Sequence, residues 1–87
     1  MLIREIKQAL IGKTISYYDG WSGSNNYFKI GYLKKDGSSI HVFPEKGKGC
    51  GVFIPNDLIP ALIEKGFVER FNEVERCSYK NTWKLCR

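Results

Sequence analysis

Histidine occurs once in this chain, closely paired cysteines not at all, and no apolar run approaches the ~20 residues that span a bilayer. The first shortage narrows catalysis. A cysteine hydrolase would have to couple Cys50 to His41, and no third group is placed to orient such a base. The second argues against structural zinc, because Cys50, Cys77 and Cys86 with His41 lack the C-x₂₋₄-C spacing of such sites. An odd number of thiols fits a reducing compartment, with the thiols free. The third leaves no transmembrane helix, and Arg4, Glu5 and Lys7 interrupt the only N-terminal stretch that could form a signal-peptide core. A cytoplasmic protein with no cofactor and no membrane partner is therefore expected.

Nucleotide loops are missing as well. Gly47-Lys48-Gly49-Cys50-Gly51 meets neither the G-x-x-x-x-G-K-[ST] pattern nor G-x-G-x-x-G, and a strand rather than a helix is expected after it. The acids at Asp19, Asp36, Glu45, Asp57, Glu64, Glu69, Glu73 and Glu75 show no paired spacing. No catalytic set emerges, and the chain reads as a non-enzyme.

What is present is size for one core, positive charge and aromatic rings. A length of 87 residues implies one α+β domain over the whole chain. Hydrophobic residues at 43% and charged residues at 26% give a globular balance. The formal net charge of +5 favours anionic partners through long-range attraction. Five tyrosines, five phenylalanines and two tryptophans exceed what a core of this size would fill.

Leu2 to Ile11 carries apolar residues at helical spacing, with Gly12 as a stop. Thr14 to Tyr18 alternates like a strand and runs into a polar loop, Asp19 to Asn26. Tyr27–Leu33 and Ser39–Phe43 read as a hairpin about Asp36-Gly37. That turn would set Leu33 opposite Ile40 and Tyr32 opposite His41. One face would then hold Phe28, Ile30, Tyr32, His41 and Phe43, the other Tyr27, Lys29, Gly31, Leu33, Ile40 and Val42. A short strand over Gly51–Ile54 leads through Asn56 or Asp57 into a helix stopped by Gly66, with Pro60 in its first turn. Phe67–Phe71 reads as a returning strand, and Val74–Cys86 as a final hairpin about Lys80-Asn81. The order predicts a curved antiparallel sheet of five to six strands with two short helices on one side.

Lysines that follow a phosphate backbone, combined with aromatic faces that stack unpaired bases, are the residue types single-strand binding requires. Here Lys46 and Lys48 in the glycine loop and Lys34 and Lys35 near the hairpin tip would hold phosphates. Trp21, Tyr27 or Tyr32 would stack on bases, with Lys29 between them along the chain. The stretch Tyr27–Lys65 resembles the single-strand-binding transcriptional coactivator family, positive cofactor four and its bacterial relatives. The likeness lies in Tyr27-Phe28-Lys29-Ile30, Gly47-Lys48-Gly49, Val52-Phe53-Ile54 and the helix over Leu58–Leu62. It covers under half the chain, which adds an N-terminal helix and about twenty C-terminal residues to the family's pattern. The resemblance implies nucleic-acid binding and no catalytic role.

The expected function is thus a small basic domain that binds single-stranded DNA or RNA, alone or as a homodimer. The rival class is a protein-interaction module, such as a phage-encoded inhibitor or regulator that docks on a host protein. Exposed aromatics and a long loop serve that class equally well.

Overall fold

The computed structural model describes residues 2–46 and 49–86. Its elements are α1 (Ile3–Leu10), β1 (Thr14–Asp19), β2 (Asn25–Asp36), β3 (Ser39–Pro44) and β4 (Val52–Pro55). A 3₁₀ turn over Asn56–Leu58 then leads into α2 (Ile59–Lys65), β5 (Phe67–Val74) and β6 (Cys77–Cys86). The strands form one antiparallel sheet in the order β4-β3-β2-β1-β6-β5, which does not close into a barrel.

The core lies on one face of that sheet. Ile15, Ile30, Leu33, Ile40, Val42, Val52, Ile54, Val68 and Trp83 point to it from the strands. Ile6 and Leu10 of α1 and Ile59 and Leu62 of α2 cover them, the two apolar helix stripes read from the sequence. The expected α+β architecture, with both helices on one side, is what the chain forms.

The hairpin differs from its expected register at two points. Asp36 pairs with Ser39, so the two-residue loop is Gly37-Ser38, with Gly37 at φ 58°. A positive φ at the first central position alone matches a type II′ turn, whose twist suits the flanking strands. Leu33 therefore faces Val42, Lys34 faces His41 and Tyr32 faces Phe43. Further back, the register shifts by one between Ile30 and Tyr32. Gly31 is the extra residue of a bulge, and its backbone lies so close to Glu45 that a Cβ there would sit 2.5 Å from Glu45 Cα.

A one-residue shift exchanges faces. Phe28 and Ile30 join Leu33, Ile40 and Val42 in the core, whereas Tyr27 and Lys29 fall on the outer face with Tyr32, His41 and Phe43. This corrects the grouping expected from unbroken alternation.

The C-terminal hairpin also turns elsewhere. Val74 pairs with Cys77, leaving Glu75-Arg76 as the loop, with Glu75 at φ 54°. Asn81 sits mid-strand between Arg70 and Asp19, and its Oδ1 accepts the Gly20 N–H at 3.3 Å. The burial of Val68 against Trp83 fixes this register, and a turn residue in the middle of the strand is carried along.

Candidate functional site

Helices cover one sheet face and leave the other bare, and the bare face gathers the rings. Alternation places Tyr27, Lys29, Tyr32 and Lys34 of β2, His41 and Phe43 of β3, and Phe53 of β4 together there. Tyr32 and Phe43 stack with centroids 4.5 Å apart and planes 10° from parallel. Phe43 meets His41 at 4.0 Å, and His41 stacks on Phe53 at 4.0 Å. Four rings thus form one continuous column across three strands. The Lys34 ammonium lies 5.9 Å from the Phe43 centroid, within cation–π range.

The His41 Nε2–H donates to the Cys50 carbonyl at 2.8 Å, which fixes the ring. His41 therefore meets Cys50 through the main chain, not through the thiol. Cys50, Cys77 and Cys86 are all free.

Farther along the same face, Lys84 stands opposite Ser16 and Phe67, and Lys80 stands opposite Phe71. Lys29 pairs with Glu45 at 3.4 Å and Lys80 with Glu69 at 2.8 Å. Among the described residues Lys34 and Lys84 have no acidic partner within ion-pair distance, so their charge is available to an anion.

The residues singled out in the sequence are dispersed by the fold. Tyr27, Lys29, Tyr32 and Lys34 share the outer face. Lys46 and Tyr27 line an open cleft of about 480 Å³ between the N-terminal half of β2 and segment 49–51. Lys35 alternates to the helix side, where it borders a cleft with Ile3, Ile6, Asn56 and Pro60. Trp21 packs edge-on against Tyr79 at 5.3 Å, and Tyr79 shares the strand alternation of Trp83, which faces the helices. Lys48 lies outside the described residues.

His41, Phe43, Phe53 and Lys84 also stand on this face and were not singled out as binding residues. Phe53 and His41 come together only through the β3–β4 register, which no local pattern states. The signal that could have found them is the alternation of His41 with Phe43, combined with Phe53 between two aliphatic residues.

Among the described residues, no helix is long and apolar enough to cross a membrane. No family model, curated protein or solved structure matches the chain.

Proposed function

We propose that this chain is a small, basic, cytoplasmic domain that binds single-stranded nucleic acid on its helix-free sheet face and acts by binding rather than by catalysis. The observation that carries the reading is the Tyr32–Phe43–His41–Phe53 column, its two end rings exposed, with Lys34 beside it. Exposed aromatic surface of this kind costs solubility unless a partner uses it. Bases supply planar faces and the backbone supplies negative charge, and this face offers a match for both.

The test is fluorescence anisotropy of a labelled oligothymidine of roughly 8 nucleotides at about 50 and 200 mM salt. Binding at low salt that weakens steeply at high salt supports the reading; no binding at low salt ends it. Quenching of Trp21 is not expected, because that indole leans toward the helix side.

A second reading rests on a different observation. At the far end of the sheet, β5 is a free edge strand, and Phe71 on it is 74% exposed, with Phe67 nearby. Such an edge suits a protein partner that adds a strand. A protein retained from nuclease-treated lysate by wild-type chain, and lost on Phe71→Lys substitution, would favour this reading.

A further inference from the structure

The ring column decides where bases can sit, an inference that rests on the nucleic-acid reading above. A planar base needs van der Waals contact at about 3.5–4 Å on each of its two faces, so inserting one between two rings requires roughly twice that separation. The centroid steps in the column are 4.5, 4.0 and 4.0 Å. Phe43 and His41 therefore have their neighbours already in place and no room for a guest.

The two ends differ. β1 begins at Thr14, opposite Lys29, so no β1 residue stands beside Tyr32. β4 is the outermost strand, so none stands beyond Phe53. Exposure follows this topology: Tyr32 is 51% and Phe53 49% exposed, whereas Phe43 and His41 are half-buried.

We infer that single-stranded nucleic acid binds by capping the column at its two ends, one base on Tyr32 and another on Phe53. Phe43 and His41 serve as the spacer that sets the distance between the two bases. The intervening backbone passes the open side of the column, where the unpaired Lys34 ammonium meets a phosphate. Tyr32 and Phe53 are base-contacting residues, and His41 is a positioning residue whose bond to the Cys50 carbonyl holds the spacer in line.

Two stacking points separated by a rigid spacer give a length threshold, because the second contact becomes intramolecular once the strand can reach both. A thymidine dinucleotide reaches one end only, whereas an octamer reaches both. Anisotropy competition with these two probes is the experiment, run on wild-type chain and on Tyr32→Leu, Phe53→Leu, Phe43→Leu, Tyr32→Phe and Lys34→Gln. Thermal melts would confirm that each variant folds.

Expected are losses of octamer affinity of about 5- to 150-fold for Tyr32→Leu and for Phe53→Leu, the range for one lost stacked base. Tyr32→Phe keeps the ring and should stay within about twofold. Each of these two end variants should also abolish most of the octamer's advantage over the dinucleotide. Wild-type binding that is weakened by Lys34→Gln yet unchanged by both end substitutions would overturn the capping geometry while leaving the nucleic-acid reading intact. A loss on Phe43→Leu larger than on either end variant, in a folded protein, would overturn it too. Absence of any octamer binding by wild type overturns both.

Discussion

The indole Nε1–H of Trp83 donates to the main-chain carbonyl of Phe53 at 2.9 Å. Trp83 belongs to β6 and Phe53 to β4, strands separated in the sheet by β1, β2 and β3. The contact requires the sheet to curl until its fifth strand reaches its first. Trp83 is only 3% exposed, so its indole reaches the half-exposed edge strand from within the core. Phe53 is held by its carbonyl from the core side while its ring stacks on His41 outside. One hydrogen bond thus ties the two ends of the curled sheet together beside the column's end ring.

Trp83→Phe removes that donor and part of the ring that packs on Tyr17 at 5.1 Å. The expected cost is about 0.5–1.5 kcal/mol for the lost, part-buried hydrogen bond. A domain of this size should then melt several degrees lower, at roughly 4–8 °C per kcal/mol. Denaturant titration measures it, and an unchanged midpoint would show that the bond contributes nothing net.

Gly31→Ala forces a methyl group against the Glu45 main chain, where flexible side chains cannot give way. A destabilisation of about 1–3 kcal/mol is expected from overpacking. The same variant should loosen the face assignment of Tyr27 and Lys29 relative to Tyr32, because the bulge sets it. Amide hydrogen exchange across β2 and β3 would report this as lost protection at the Glu45 amide, which donates to the Lys29 carbonyl.

The salt dependence of oligonucleotide binding should count phosphates. Each phosphate neutralised on a single strand contributes about −0.7 to the slope of log affinity against log salt. Lys34→Gln should therefore flatten the slope by about that amount, and Lys35→Gln, on the helix side, should not. Equal effects of the two substitutions would place the contact surface elsewhere.

Tyr17 gives a pH prediction with a definite sign. Burial first, then the nearby Asp19 carboxylate and Tyr79, raise its phenol above the ordinary value of 10.0. The folded state holds that proton more tightly than the unfolded chain, so its contribution is fully present below pH 10.0 and is lost as pH rises through the folded value. Thermal melts above pH 10.0 should show declining stability, and Tyr17→Phe should remove part of the decline. A decline identical in the variant would assign it to other groups.

Much of the fold could be read in the chain. The stripe Ile6–Leu10 and the Asn56–Gly66 turn-and-helix unit each state their own burial, and alternation puts Ile40 and Val42 on one face without saying that it is the core, because helix and strand periods are local properties. The two turns were less legible. Glu75-Arg76 carries no residue that favours a positive φ, while Asn81, which does, lies mid-strand. Pairing over Phe67–Val74 outweighs the preference of a single residue.

The candidate site divides along the same line. The sequence by itself determined that this would be an α+β chain with surplus rings, surplus lysines and two helices to cover one side of a sheet. It also put Tyr27, Lys29 and Tyr32 on one strand, with Lys34 just beyond it at the hairpin tip. Which of them share a face was decided by the Gly31 bulge, a backbone event set by contact with Glu45, fourteen residues along the chain. That Phe53 completes the column was decided by the β3–β4 register, which sets it opposite His41. Alternation is written in neighbouring residues, but register and curvature arise only when distant strands meet.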